Sequence, residues 1–374
     1  MSGIPKLALP TCAALAFLLG CGGSSTSSAP TGTLTLTLSS DNLPGFSQVV
    51  VSLDKVEGTQ DGSRWLNLGS PQTTVDLMAL QNGHGVVILN AAKVYSGTYT
   101  QFRLTWGTKN YNSAINLPAY VIPEGGAGQV LAMPTTTVVK GSATLPSNGS
   151  AQALIMLSGD QGVLTAPASA TPYRFNATGQ AFDATNCGRI TGQVAGPNGK
   201  LAGVEVLAQT VDGVGLATLA RRAVSDASGA FELDGLPSGA IYYLAAQPLN
   251  CQAQAAAPGT LAAGATLNAN LTFTAPVTSG TLVLAITPKS SDTQGTWGEL
   301  RQSLATGAGA QNLIIRSRTA IIGASQDTVS FLSVAPGTYG VTAQRSTSGA
   351  APVPNNGSQQ AVAAGGTTNA TLAF

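Results

Sequence analysis

Apolar and polar residues alternate over much of this chain. In Thr33-Leu34-Thr35-Leu36-Thr37-Leu38 the leucines fall on one face and the threonines on the other, as in a half-buried strand. Thr281 to Ile286 and Val204 to Gln209 read the same way. No long stretch repeats apolar residues at i, i+3 and i+4, so the pattern predicts strands and no helix of useful length. Two short patterns recur. An apolar residue, a turn with Gly, an aromatic and a strand appear in "VYSGTYTQFRL" (94–104), "LPSGAIYYLAA" (236–246) and "VAPGTYGVTA" (334–343). "AAGATLNANLTF" (262–273) and "AAGGTTNATLAF" (363–374) align without a gap, and each reads as the last strand closing a domain. These repeats predict an all-β chain of three β-sandwich units in a row, the last two near the usual size of such domains. "TAPVTSG" (274–280) reads as the linker between the second and third, and the first boundary falls near Asn186.

Composition supports strands and narrows function. Charged residues make up 9% of the 374 residues, against about 25% in ordinary soluble proteins, while glycine is abundant at 45 residues. Net charge is +1, and there is no basic block beyond Arg221 and Arg222. That argues against nucleic acid, which needs a cationic stripe, and against binding anionic lipid through charge.

The amino-terminal segment carries an address. Lys6 precedes a largely apolar run, Leu7 to Leu19. A helix over that run reaches only ~20 Å, short of the ~30 Å bilayer core, so it reads as a secretory signal. Leu18-Leu19-Gly20-Cys21 resembles the lipobox of bacterial lipoproteins. The resemblance implies removal of residues 1–20 and acylation of Cys21, anchoring the chain at about 0.8 kcal/mol per buried methylene. Residues 21–30, rich in Gly and Ser, then form a flexible tether. Gly22 stands where a signal for inner-membrane retention prefers Asp, which favours the outer membrane of the cell envelope.

Two further resemblances cover folded units. "TGTLTLTLSS", "VVVSLDKVE", "RWLNL", "TTVDLMALQNG" and "VYSGTYTQFRLTWG" occur in order. They resemble the prokaryotic family catalogued as domain of unknown function 4382, well over 31–110 and weakly over 111–186. That family brings no functional residues to transfer. "GRITGQVAGPNGKLAGVEVLAQ" and "AVSDASGAFELDGLPSGAIYYLAAQ" are similar to the carboxypeptidase regulatory-like domain, a transthyretin-like sandwich. One extra residue sits between Gly239 and Tyr242. This resemblance implies a scaffold or binding module over 187–275, and a related sandwich is expected over 279–374.

Candidate chemistry is sparse. The lone histidine, His84, lies between two glycines and reads as an exposed turn, not as a catalytic base or zinc ligand. "DGVGLAT" (212–218) lacks the third glycine of a dinucleotide fingerprint. Asp226, Glu232 and Asp234 offer oxygens for calcium, but Asp226 more simply caps a hairpin turn. Asp54 and Glu57 read as solvated. No metal or cofactor is expected. Trp106, Tyr111 and Tyr120 flank "GTKNYNS" and form a candidate sugar platform; the competing reading buries Trp65 and Trp106 in the core. Trp297 is left between a loop and a short helix. Cys187 and Cys251 are the pair remaining in an oxidising compartment, and a disulfide between them is expected, stabilising by up to ~4 kcal/mol; the alternative is two separate buried thiols.

The function expected is that of a non-enzymatic envelope lipoprotein, structural or adhesive, with a membrane contact through Cys21 and a protein or polysaccharide partner. The alternatives are a carbohydrate-binding accessory and, more remotely, a carboxylate-based glycosidase.

Overall fold

The computed structural model describes residues 30–374 except 42, 113–116, 159–161, 168, 177, 292–293, 348–352 and 356. Strands dominate it, and among the described residues the only helical segments are 3₁₀ turns at Leu77–Leu80 and Ala184–Asn186. The first unit holds β1 (Thr31–Ser40), β2 (Phe46–Thr59), β3 (Leu66–Gly69), β4 (Thr73–Asp76), β5 (Val86–Tyr95), β6 (Gly97–Trp106), β7 (Tyr120–Pro123), β8 (Gln129–Ala132), β9 (Thr136–Leu145), β10 (Ser150–Leu157), β11 (Val163–Thr165), β12 (Tyr173–Phe175) and β13 (Gly179–Asp183). The second holds β14 (Cys187–Gly196), β15 (Gly199–Lys200), β16 (Glu205–Val211), β17 (Ala217–Val224), β18 (Ala230–Pro237), β19 (Ile241–Ala246), β20 (Gln254–Thr260), β21 (Thr266–Asn268) and β22 (Leu271–Thr272). The third holds β23 (Gly280–Thr287), β24 (Gln294–Thr306), β25 (Gly309–Thr319), β26 (Ile321–Ile322), β27 (Asp327–Val334), β28 (Gly337–Thr347), β29 (Val353–Asn355), β30 (Gln359–Val362) and β31 (Thr367–Ala373).

One plan runs through all three units. The first strand of each lies between an antiparallel neighbour and a parallel strand that closes the shared plan: β5-β1-β10, β18-β14-β21/β22 and β27-β23-β31. The facing sheet is antiparallel: β3/β4-β2-β6-β9, β17-β16-β19-β20 and β25-β24-β28-β30. A glycine opens each first strand. A Cβ on Gly32, Gly188 or Gly280 would come within 3 Å of two carbonyl oxygens in the turn before the closing strand. The next amide donates to the second of those carbonyls: Thr33 to Gly149 (2.9 Å), Arg189 to Ala265 (3.0 Å), Thr281 to Gly366 (2.8 Å).

The recurrent Gly-aromatic pattern has a second shared role. Tyr99, Tyr242 and Tyr339 are all fully buried, and each hydroxyl donates to the carbonyl at the second position of its motif: Tyr95 (2.7 Å), Pro237 (2.8 Å) and Ala335 (2.6 Å). These are tyrosine corners, in which a buried ring spends its polar tip on upstream backbone. The extra residue before Tyr242 lengthens that loop and leaves the bond intact.

The first unit elaborates the plan. A β7–β8 hairpin sits between β6 and β9, and β7 extends the sheet along β2. β13 pairs with β10 and, in parallel, with β9, joining the two sheets along one side. The units are not strung out in a row. β11 meets β26 of the third unit at Thr165 and Ile321, over a small cluster of Leu164, Ala166 and Ile322. Leu207, Ala217, Tyr243, Ala245 and Ala253 of the second unit share one apolar core with the third. β16 and β24, covered on both faces, are therefore buried without alternation at Val206–Gln209 and Gly295–Arg301. Trp297 lies in that run of β24, so it belongs to a strand and to neither a loop nor a helix.

Candidate functional site: a buried junction of three units

Several charged groups of this charge-poor chain meet where the units meet. Arg221 and Arg222 are neighbours on β17, so their side chains leave on opposite faces. Arg221 turns to the first unit: its guanidinium lies 3.7 Å from Asp41 and 5.9 Å from the Phe182 ring, and donates to the carbonyls of Asp234 (3.0 Å) and Gly235 (3.3 Å). Arg222 donates to Glu205 (2.6 Å), whose other oxygen takes Arg318 of the third unit (2.7 Å). The Arg222 amide points at Asp41 (3.4 Å). Burial first, then repulsion from Arg318, pulls the Arg222 guanidinium down to about 9, still charged at neutral pH. The pair that looked in sequence like a minor basic patch is thus internal.

Two amide side chains complete the seams. Asn82 of the first unit pairs with both backbone groups of Val224, accepting from its amide (2.8 Å) and donating to its carbonyl (3.0 Å). Gln209 of the second unit does the same to Ile314 of the third, at 2.8 Å each way. In the third unit, Glu299 is 2% exposed and accepts from Arg301 (Nε, 3.1 Å), Thr342 (3.0 Å), Gln344 (2.6 Å) and Trp297 (3.3 Å). Arg301 reaches on to the carbonyl of Ala217 (3.0 Å) in the second unit. Nothing in the sequence pattern announced these residues beyond their position as polar residues within strands.

Most of the other described carboxylates also have structural work. Asp61, Asp76, Asp183, Asp212 and Asp226 each accept backbone N–H groups at turns or caps. Asp226 forms the hairpin turn expected of it. Glu232 and Asp234 lie 3.0 Å and 4.0 Å from the Arg189 guanidinium, and among the described residues no cluster of His, Cys, Asp and Glu is arranged to hold a metal. Asp327 pairs with Arg345 (3.3 Å). Glu57, expected in solvent, is buried on β2 between Lys55 and Arg103, both at 2.7 Å. Asp54 accepts from the Tyr111 hydroxyl. His84 is exposed in a turn, its amide donating to Gln81 (3.3 Å).

The predicted sites fare unevenly. Cys21 lies outside the described residues. The sugar platform does not form as expected: Trp106 is 4% exposed, donates to Thr137 (2.9 Å) and packs edge-on against Phe175. Tyr111 is pinned to Asp54 and to Thr74 (2.8 Å), and Tyr120 is half-buried on β7 between β2 and β8. Trp65 carries Arg103 over its ring at 4.4 Å. The disulfide is not made. Cys187 and Cys251 are separate buried thiols, bonded to the carbonyls of Asp183 (3.6 Å) and Thr274 (3.8 Å). Cys187 opens β14, whereas Thr274 lies just past Thr272, which pairs with Ala195 near the end of the same strand. Eight steps of strand separate the two ends by about 26 Å, far beyond the ~7 Å that a disulfide spans between Cα atoms. Burial pushes the Cys187 thiol up to about 11.

Residues 31–162 match the family model described as Domain of unknown function (DUF4382). The match runs from the start of β1 to the turn before β11, so the matched segment holds every strand of the shared plan and excludes β11–β13. No curated protein matches the chain. Solved structures that resemble it include the Bacillus anthracis TIE protein (9% identity, TM-score 0.21, 91% of this chain and 50% of that one). Others are a streptococcal ancillary pilin (11%, 0.21, 91% and 98%) and the shaft pilin SpaA of Lactobacillus rhamnosus GG (12%, 0.20, 50% and 97%). The chain thus spans half the length of the TIE protein.

Proposed function

We propose that this chain is a non-enzymatic lipoprotein of the bacterial cell envelope. It is held at the outer membrane by acyl chains on Cys21 and presents the loops of three sandwiches to a protein or polysaccharide partner. The observation that carries the non-enzymatic part is the use made of charge. Glu205, Glu299, Arg221, Arg222 and Arg301 are spent holding units together, and the exposed Asp residues cap turns. A glycosidase needs two carboxylates facing each other across a cleft, roughly 5–10 Å apart with a sugar between them. The lipid anchor rests on Leu18-Leu19-Gly20-Cys21.

Growth of the producing cells with radiolabelled palmitate tests the anchor. Label should enter the protein and sediment with outer membranes, and Cys21→Ser should abolish both. Unlabelled wild-type protein would remove the anchor. Hydrolysis of a polysaccharide by the purified chain would remove the non-enzymatic reading.

A further inference from the structure

Away from the junction, an open groove of about 330 Å³ lies at the end of the first unit where Pro30 leads into β1. Its size is at the lower end of small-molecule sites. Three apolar surfaces line it: Pro30, the half-buried Leu66 and the Tyr95 ring. Tyr95 is 46% exposed, whereas the three corner tyrosines are buried, so its ring is an available face. Gln60, Asp61 and Arg64 supply the polar lining.

The walls are held in place before anything binds. Gln60 donates to the Ser96 carbonyl (3.0 Å), and Ser96 in turn donates its amide (3.0 Å) and hydroxyl (3.2 Å) to the Pro30 carbonyl. One Asp61 oxygen accepts from the amides of Ser63 and Arg64, both at 2.8 Å, and from Thr59 (3.1 Å). Those donors hold its carboxyl well below the usual carboxylate range, so it stays an acceptor. Preformed walls reduce the ordering cost of binding.

We propose that this groove binds a neutral pyranose unit of a polysaccharide, with the Tyr95 ring against the apolar face of the sugar and Arg64, Gln60 and Asp61 bonding its hydroxyls. Arg64 and Asp61 are adjacent and opposite in charge, so the lining favours a neutral ligand over an anionic one. The groove deepens the polysaccharide-partner reading and needs neither the lipid anchor nor the Trp106 loop.

Titration of the full purified chain with cellotriose, maltotriose and chitotriose, and with trigalacturonate as the anionic control, read by saturation-transfer NMR and calorimetry, tests it. At least one trisaccharide should bind. Tyr95→Ala should weaken that binding about tenfold, equivalent to about 1.4 kcal/mol. Arg64→Ala should also weaken it, and Tyr120→Ala should leave it unchanged. Thermal unfolding checks that each variant folds, and Arg64→Ala carries the test should Tyr95→Ala not fold. The proposal is overturned if none of the three trisaccharides binds, if both groove variants bind like wild type, or if only trigalacturonate binds.

Discussion

Between the first and second units the contact is small and largely polar, with Leu154, Met156 and Phe182 beside Gly235 and Arg221. Asp41 and Asn82 reach the edge of β17, and a cavity of about 10 Å³, room for one water, is lined by Ser39, Asp41, Arg221 and Asp234. Between the second and third units the contact is sheet on sheet, with Leu207, Tyr243 and Ala245 in one core with Leu300, Leu313 and Tyr339. The difference teaches how far each pair behaves as one body. Two sheets sharing an apolar core unfold together, because separating them exposes both faces. A seam of a few hydrogen bonds can open with each unit still folded.

The largest effect that would break this contrast is at Glu299. Glu299→Ala leaves Arg301 buried without its carboxylate and should cost about 3–5 kcal/mol. Differential scanning calorimetry should show the second and third units losing stability in one transition. Glu299→Leu with Arg301→Met should recover most of the loss, since removing both charges removes the uncompensated one. Gln209→Ala should cost about 1–3 kcal/mol by leaving the buried amide and carbonyl of Ile314 unpaired, in the same transition. Asn82→Ala should cost about 1 kcal/mol. Its mark is local: hydrogen exchange at Val224 should quicken while the melting of the second and third units stays put.

The smallest effect concerns acid. Hydrogen bonding from Arg103, opposed by burial and aided by Lys55, holds the Glu57 carboxyl below its ordinary value of 4.5. The folded state therefore favours the ionised form. That contribution is complete above 4.5 and is lost as pH falls through the lowered folded value. Acidification below pH 5 should lower the melting temperature of wild type more than that of Glu57→Gln, and equal slopes would show that Glu57 contributes nothing.

Much of the fold was legible because its strands alternate. The leucines of β1 are buried as their spacing requires, and the Gly-aromatic motif marked a buried tyrosine in each unit. The later part of the first unit was not legible, because β7, β8, β11 and β12 are too short to display a period. The third copy of the closing turn was hidden as well: Pro146-Ser-Asn-Gly149 does the work of the Ala-Gly turns without resembling them. The seams were illegible for a different reason. A charged residue on a strand normally faces water, and only packing a second sheet over β17 and β24 buries Arg222 and Glu299. The cysteine pair failed because counting thiols carries no distance.

The parallel pairing of first and last strands has a mechanical consequence. In the third unit, Thr281 to Thr287 run alongside Thr367 to Ala373 in the same direction. A pull on the front of one strand and the back of the other drags them lengthwise past each other. The whole ladder is then loaded in shear, and its rungs must fail together instead of unzipping one by one. Each sandwich is in this respect a clasp that resists along the line of tension.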